Sequence, residues 1–234
     1  MTDPVLVGLL DSGVAEDLAA HVTAGCAFRP TSDSAVGHGD PELDTVGHGS
    51  SLARVILSHA PGARLLNAQV LGPRGTTSAA AVAAGLDWLT AQGAALINMS
   101  LGLHADRDEL RAACDAALAE GCVLLGASPA RGAPVYPSAY PGVVRITGDA
   151  RCAPGEISHL ATAQADFGAC VRADGESPSP VAGASAAVGH ASGLLAAHFS
   201  DSDARGGEAA RRFFEQAAAY RGPERKTAAD VGKR

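Results

Sequence analysis

The chain has 234 residues, of which 47% are apolar and 18% charged, a composition typical of a globular protein with one hydrophobic core. Its net charge of -7 argues against a nucleic-acid partner, and no apolar run is long enough for membrane insertion. The five cysteines are scattered, without a C-x-x-C pair, which argues against a disulfide framework or a zinc knuckle. Together with the absence of a basic cluster or cleavage site near Met1, they predict a cytoplasmic protein with reduced, packed thiols.

Short apolar runs alternate with helix-like segments from residue 5 to about residue 148. Runs of this length that are continuously apolar are typical of strands covered on both faces. The runs are Val5–Leu10, Leu65–Leu71, Ala94–Leu101, Cys122–Ala127 and Val143–Thr147. Between them, Thr77–Gln92 and Asp108–Glu120 place their apolar residues on one helical face, and a glycine follows each segment. The alternation predicts an α/β fold with a mostly parallel sheet and helices on both faces.

The pattern changes after residue 148. Residues 149–182 are rich in Gly, Pro, Asp and Ser, which predicts loops with short strands. Ser185–Phe199 is nearly all small and apolar, as a buried helix would be. Residues 200–234 contain a charged helical segment around Gly207–Tyr220 and a polar end that we expect to fray. We therefore predict one domain over residues 1–199, with residues 200–234 either part of it or partly disordered.

Three polar residues stand where an open parallel sheet places reactive groups. Asp11 follows the first apolar run, although an Asp-Ser-Gly sequence is also an ordinary turn signal. His48 lies between two glycines at the start of an amphipathic segment, whereas the similar tetrad around His38 lacks such a segment and is interpreted as a loop. Ser185 opens the late apolar helix, either as a plain N-cap or as a nucleophile in the positive field of the helix end.

The order Asp, His, Ser along the chain is the order of the catalytic triad in subtilisin. Four segments resemble motifs of the subtilisin-like serine peptidases, the subtilases. They are Asp11-Ser12-Gly13, His48-Gly49-Ser50, Ile97-Asn98-Met99-Ser100-Leu101-Gly102, and Gly183-Ala184-Ser185 with Ala187 and His190. The resemblance covers residues 5 to about 199. It implies the single-domain, three-layer subtilisin-like fold and the activity of a serine endopeptidase.

The same resemblance implies a role for each member of the triad. Ser185 would attack the scissile carbonyl, and His48 would take its proton and pass it to the leaving amine. Asp11 would orient the imidazole and stabilise its cation. No cofactor and no metal are implied, and the acidic residues Asp40, Glu42 and Asp44 are too sparse to predict a calcium site.

The resemblance also implies where a protein or peptide substrate would bind in an extended conformation. Ser100, Leu101 and Gly102 would offer backbone hydrogen bonds to it, a form of strand addition. The segment around Gly126 and Ala127 would form the wall of the pocket for the residue before the cut.

One departure from the family pattern affects the oxyanion site. Subtilases usually carry Ala-Gly-Asn after this strand, and the Asn side chain donates to the oxyanion, but here the chain reads Gly126-Ala127-Ser128-Pro129-Ala130. The two asparagines of the chain, Asn67 and Asn98, belong to other segments. The backbone N–H of Ser185 would remain, and the Ser128 hydroxyl is a candidate second donor. In a subtilisin the loss of this Asn slows turnover by about 10²–10³, so a slow enzyme is predicted.

The missing Asn and a first strand that begins by residue 5, with no room for a pro-segment, suit a maturation enzyme better than a digestive one. In these two features the chain resembles the unusual subtilases that remove the leader peptide from the small (gamma) subunit of quinohemoprotein amine dehydrogenase. We therefore expect an intracellular protease with one dedicated protein substrate. Two alternatives remain open: an inactive pseudoprotease that serves as a peptide-binding scaffold, and an intracellular peptidase of broad specificity.

Overall fold

The computed structural model describes residues 3–31, 35–173 and 181–224. The strands in these ranges are β1 (Leu6–Asp11), β2 (Val22–Pro30), β3 (Val36–Gly39), β4 (Arg64–Gln69), β5 (Leu96–Met99), β6 (Val123–Ala127), β7 (Val144–Gly148), β8 (Ile157–His159), β9 (Phe167–Ala169) and β10 (Ala218–Arg221). The α-helices are α1 (His48–His59), α2 (Ala79–Ala91), α3 (Asp108–Ala119), α4 (Ala184–Asp201) and α5 (Gly206–Ala217). A 3₁₀ helix, Glu16–His21, connects β1 to β2.

All of these strands join one sheet in the order β10-β8-β9-β7-β6-β5-β1-β4-β2-β3. The central neighbours are parallel, and the antiparallel pairs β2–β3 and β8–β9 lie toward the two ends. The continuously apolar runs therefore occupy the parallel centre, where helices cover both faces. The predicted α/β fold in a single domain, with a mostly parallel sheet, is confirmed.

The sheet separates two hydrophobic cores. Leu9 of β1 packs on one side with residues of α1, α4 and α5, whereas the next residue, Leu10, packs on the other side with residues of α2 and α3. This alternation follows from the pleat of a strand, which points successive side chains to opposite faces. The two helices that carry His48 and Ser185 consequently share one face of the sheet. Within the described ranges, no helix is long and apolar enough to cross a membrane.

The five predicted strands and three predicted helices are confirmed with small shifts at their ends. Ser78 caps α2, because its side chain accepts a hydrogen bond from the Ala81 N–H at 3.2 Å. Gly93 and Gly121 follow α2 and α3 with φ of +79° and +82°, the left-handed conformation that commonly ends a helix. All five cysteines are free, and burial raises the pKa of the Cys114 thiol to about 12.

Two sequence interpretations are wrong at the edges of the sheet. The tetrad around His38 is strand β3, not a loop, because it pairs antiparallel with β2 and places His38 opposite Phe28. The charged C-terminal helix ends at Ala217, and Ala218–Arg221 continues as β10 because β8 offers it a free edge for parallel pairing. The predicted fraying of the C-terminal end concerns residues 225–234, outside the described residues.

Candidate active site

Asp11 and His48 form a buried acid–imidazole pair. Asp11 ends β1 and is fully buried, and His48 is the first residue of α1 with 21% of its side chain exposed. The Nδ1 atom of His48 lies 2.7 Å from Oδ1 of Asp11, and the same oxygen accepts the Ser12 N–H at 2.7 Å. A neutral imidazole in this position carries its proton on Nδ1 and leaves the Nε2 lone pair free to accept a proton.

Glycines allow the start of α1 to approach the end of β1. Gly47, the N-cap residue, has a φ of +80°, which favours glycine. A Cβ atom on Gly49 would overlap the carbonyl oxygen of Gly13, so only glycine fits where the helix meets the turn after β1. The Gly49 N–H donates to the Ser12 hydroxyl at 2.9 Å. The two glycines beside His48 therefore make the contact with Asp11 geometrically accessible.

Asp44 holds the first turn of α1 in place, a role that the sequence analysis missed. Its Oδ1 accepts from the Ser12 hydroxyl and from the N–H groups of Val46 and Gly47, and its Oδ2 accepts from both the N–H and the hydroxyl of Ser50. Burial alone would raise the pKa of Asp44, but the hydrogen bonds from Ser50, Gly47 and Ser12 lower it. An acidic residue just before a helix start is a capping signal that could have revealed this role.

Asp44→Asn is expected to destabilise the fold by about 2 kcal/mol, because one of the two acceptor oxygens becomes an NH2 group. Whichever way the amide turns, this group faces donors from which it cannot accept, either those of Ser50 or those of Ser12, Val46 and Gly47. Urea denaturation at neutral pH measures the change. Asp40→Asn, at an exposed neighbour in the same loop, is the matched control and should leave stability unchanged. An Asp44→Asn variant as stable as the wild type would contradict the capping role.

The imidazole of His48 is basic for a partly buried histidine. Burial alone would lower its pKa, but the hydrogen bond to Asp11 and the negative charges of Asp11 and Asp44 raise it above the ordinary value of 6.5. A general base must be neutral to accept a proton. The rate of reaction at Ser185 is therefore expected to fall as the pH drops through this raised pKa, on a limb centred above pH 6.5. A pH series of fluorophosphonate labelling rates measures this limb, and a midpoint below 6.5 would contradict the assignment.

Ser185 is the second residue of α4 and not its N-cap, so the plain N-cap interpretation is wrong. Gly183 is the N-cap and has a φ of +66°. The Ser185 hydroxyl donates to the carbonyl oxygen of Ser100 at 3.2 Å, and the Ser100 hydroxyl donates to the carbonyl oxygen of Ser185 at the same distance. In the described part of the chain, the Ser185 hydroxyl has no hydrogen bond to His48. This reciprocal pair fixes the start of α4 to the end of β5.

A buried polar network supports Ser100 from below. The side-chain amide of Asn98 donates to the Ser100 hydroxyl at 3.1 Å, and the Ser192 hydroxyl donates to the Asn98 carbonyl oxygen at 3.1 Å. Asn98 and Ser192 are both fully buried. Both polar atoms of the Asn98 side chain are thus engaged in hydrogen bonds, while Asn67 is buried on β4. Neither asparagine replaces the amide that is missing after β6.

A cleft of about 440 Å³ opens beside His48. Its lining residues are Val46, His48, Leu71, Gly75, Thr76, Thr77, Ser100, Leu101, Gly102 and Leu103. The structure thus brings the predicted substrate segment Ser100–Leu101–Gly102 and His48 to one cleft. The contribution of Thr76 and Thr77 to the lining was not predicted. Apart from His48, the lining is uncharged.

The residues predicted for the other wall and for the oxyanion lie deeper. Gly126 and Ala127 are buried in β6, and a Cβ atom on Gly126 would lie 2.8 Å from the Cβ of Ser138. Ser128 is 5% exposed, and its hydroxyl donates to the Gln164 carbonyl oxygen at 2.6 Å. The Ser128 hydroxyl is therefore occupied, and the structure does not present it as a free donor. Among the described residues, no group of three or more His, Cys, Asp or Glu side chains could hold a metal ion.

Comparison with known proteins links this arrangement to one family. A model described as the Subtilase family matches residues 2–230. Alkaline elastase YaB of Bacillus sp. (strain YaB) is 32% identical over 139 residues, which are 55% of this chain and 35% of the elastase. Subtilisin Savinase of Lederbergia lenta is 30% identical over 154 residues, which are 61% of this chain and 54% of Savinase. The matched part thus spans about a third to a half of these relatives.

Two solved structures share the fold over nearly the whole chain. The crystal structure of a cold adapted subtilisin-like serine proteinase has a TM-score of 0.66 at 20% identity and covers 92% of this chain and 84% of its own. The structure of the S41 psychrophilic protease has a TM-score of 0.69 at 22% identity, with coverage of 91% and 82%. At these identities the likeness shows that the three-layer arrangement of helices and sheet is common to all three chains.

Proposed function

This chain belongs to the subtilase family, and we propose from that premise that it is a serine endopeptidase that cleaves peptide bonds through an acyl-enzyme. The observation that carries the proposal is the Asp11–His48 contact of 2.7 Å. It lies beside a cleft whose wall, Ser100, is hydrogen-bonded to Ser185. A buried carboxylate, a solvent-accessible imidazole and a hydroxyl at a helix N-terminus together fit acyl transfer.

In the proposed reaction, the Ser185 hydroxyl leaves the Ser100 carbonyl and passes its proton to Nε2 of His48 as it attacks the scissile carbonyl. The charge of Asp11 stabilises the imidazolium that forms. The imidazolium then protonates the leaving amine, and the peptide's carbonyl carbon remains bonded to Ser185 as an ester. A water molecule repeats the sequence in the deacylation step. The backbone N–H of Ser185, at the positive end of α4, supplies one donor to the oxyanion.

The cleft favours an extended peptide with small or apolar side chains. The backbone groups of Leu101 and Gly102 have no partner within the described residues, so they are free to pair with a peptide strand. Thr76 and Thr77 line the same cleft. With His48 as the one titratable group in the lining, charged side chains near the cut would find no partner there.

The finer role that we propose is maturation: removal of a leader peptide from one protein substrate. One donor fewer at the oxyanion favours few turnovers on a dedicated substrate over digestion. From the sequence resemblance, the leader-bearing small subunit of quinohemoprotein amine dehydrogenase is the first substrate to test. Mass spectrometry of that subunit after incubation should show one cut at the leader boundary. An intact leader, together with rapid hydrolysis of unrelated short peptides, would favour a peptidase of broad specificity instead.

Fluorophosphonate labelling followed by intact-mass measurement tests the activity itself. The wild type is expected to gain one adduct and Ser185→Ala none, because only an activated serine reacts at an appreciable rate. Ser128→Ala is a matched control that should still be labelled, since its hydroxyl is bound to Gln164. An unlabelled wild type would contradict the proposed peptidase.

A second candidate, a peptide-binding scaffold without catalysis, is favoured by two observations. The Ser185 hydroxyl donates to Ser100 and, within the described residues, not to His48, and Ala130 stands where the family motif has its Asn. A scaffold would retain its cellular function as Ser185→Ala, whereas a peptidase would lose it. Complementation of a deletion strain with Ser185→Ala therefore separates the two.

A further inference from the structure

Two histidines outside the triad meet between the helix of His48 and the helix of Ser185. His59 is the last residue of α1, and His190 is fully buried in α4, five residues after Ser185. Nε2 of His59 lies 2.8 Å from Nδ1 of His190, and Nε2 of His190 lies 2.7 Å from the carbonyl oxygen of Arg172. The proposed reaction uses neither ring.

Two glycines of α4 bring the helices close enough for this contact. A Cβ atom on Gly189 would lie 3.0 Å from Leu52 of α1, and one on Gly193 would lie 2.8 Å from the Ile56 carbonyl oxygen. The same atom on Gly193 would lie 3.0 Å from the Cβ of His59. Side chains at these two positions would push α4 away from α1. The close packing therefore sets the distance between the two imidazoles.

The partners determine which nitrogen of each ring carries a proton. The Arg172 carbonyl can only accept, so Nε2 of His190 carries the proton, and the neutral ring presents a lone pair at Nδ1. His59 must then donate from its Nε2. The result is a directed chain of hydrogen bonds that runs from His59 through His190 to Arg172.

The last member of this chain of hydrogen bonds, Arg172, is linked to the residues that precede Ser185. Arg172 forms an antiparallel bridge with Ala182, and the Gly183 N–H donates to the Val171 carbonyl at 2.8 Å. Gly183 is the N-cap of α4, two residues before Ser185. A shift of Arg172 would therefore move the backbone that orients Ser185.

We propose that His59 and His190 are positioning residues: while neutral, they fix α1, α4 and the segment before Ser185 in the arrangement that aligns the nucleophile with His48. A proton added at Nδ1 of His190 would point at the N–H of His59 and break the chain of hydrogen bonds. The positioning role rests on the proposed peptidase activity, whereas the tautomers and their effect on stability do not.

No carboxylate of the described residues forms a hydrogen bond or ion pair with either ring. Burial lowers the pKa of His59 to about 4, helped by repulsion from the protonated form of His190, which faces it from α4. Burial also lowers the pKa of His190, although the Arg172 carbonyl opposes this. Unfolded histidines titrate near 6.5, so between about pH 6.5 and pH 4 the unfolded chain binds more protons than the folded chain does. The stability contributed by the pair is therefore lost across that interval.

The test compares His59→Leu, which removes the donor, with His59→Gln, whose amide N–H can still reach His190. His59→Leu is expected to be labelled by fluorophosphonate about tenfold more slowly, the equivalent of one hydrogen bond, with KM for a peptide unchanged. His59→Gln should recover most of the rate. His38→Leu, at an exposed position on β3, is the matched control. A folded His59→Leu variant with wild-type labelling and an unchanged pH profile would overturn the proposal.

Nitrogen-15 NMR of the wild type keeps the test decisive if His59→Leu does not fold. Both rings are expected to be neutral Nε2–H tautomers at neutral pH, and a proton on Nδ1 of His190 would overturn the proposal. If the wild type is not labelled, the peptidase fails and with it the positioning role. The tautomers and the pH dependence of unfolding would then show whether the neutral pair still stabilises the packing of α1 against α4.

Discussion

Asp11→Asn is expected to lower kcat by about 10⁴-fold, the scale set by the same substitution in trypsin-like enzymes. The carboxylate of Asp11 dictates that the proton of neutral His48 sits on Nδ1, at 2.7 Å. An Asn amide can instead donate to Nδ1, which places the imidazole proton on Nε2, where it cannot accept from Ser185. The negative charge that stabilises the imidazolium is lost as well.

Turnover of a peptide ester across pH measures this effect. Because the charge of Asp11 raises the pKa of His48, the acid limb of the variant is also expected to move to lower pH. Asp17→Asn is the matched control, since Asp17 forms an exposed ion pair with Arg54 and neither residue lines the cleft. A variant with kcat within tenfold of the wild type would exclude the proposed role of Asp11.

The Asp11→Asn variant is expected to stay folded, so that the loss of activity is not a loss of structure. Asp11 is fully buried, and its Oδ2 has no hydrogen-bond partner among the described residues. Burial of an incompletely paired charge is unfavourable, and Asn keeps the shape of the side chain while removing that charge. Thermal unfolding at neutral pH should therefore give a Tm at or above that of the wild type.

The three candidate residues of the triad can be proposed from the sequence because their signals are local. Asp11 ends an apolar run, His48 is flanked by glycines at a helix start, and Ser185 opens a small-residue helix. Each signal lies within a few residues of the side chain that it marks. The central strands are predictable for the same reason, since burial on both faces leaves a continuous apolar run.

The features that the sequence analysis missed depend on partners far along the chain. His59 and His190 are 131 residues apart, and neither lies in a pattern that announces the other. Edge strands β3 and β10 are short, and their conformation is set by the strands that they pair with, not by their own alternation. The occupied hydroxyl of Ser128 likewise depends on Gln164, 36 residues later. Long-range contacts of this kind follow from the topology and not from local residue patterns.

Ala130→Asn is expected to raise the rate of acylation by about 10²-fold, within the range lost when a subtilisin gives up this donor. In the family motif Ala-Gly-Asn the amide follows the strand of Gly126 and Ala127, and the third residue after β6 is Ala130. Ala130 is exposed, and it lines a second pocket together with Gly148, which packs against Gly183, two residues before Ser185. Its side-chain N–H groups would add a second donor to the backbone N–H of Ser185.

The gain is measured as the fluorophosphonate labelling rate and as kcat on a peptide ester, with Ala133→Asn as the exposed control three residues away. The amide acts on charge that develops in the transition state, so kcat should rise while KM stays nearly constant. A gain confined to position 130 would show that Asp11, His48 and Ser185 are assembled and that the missing amide limits the rate. If the wild type is labelled and Ala130→Asn is labelled no faster, another group already donates to the oxyanion. The proposed slowness of the enzyme then loses its physical basis.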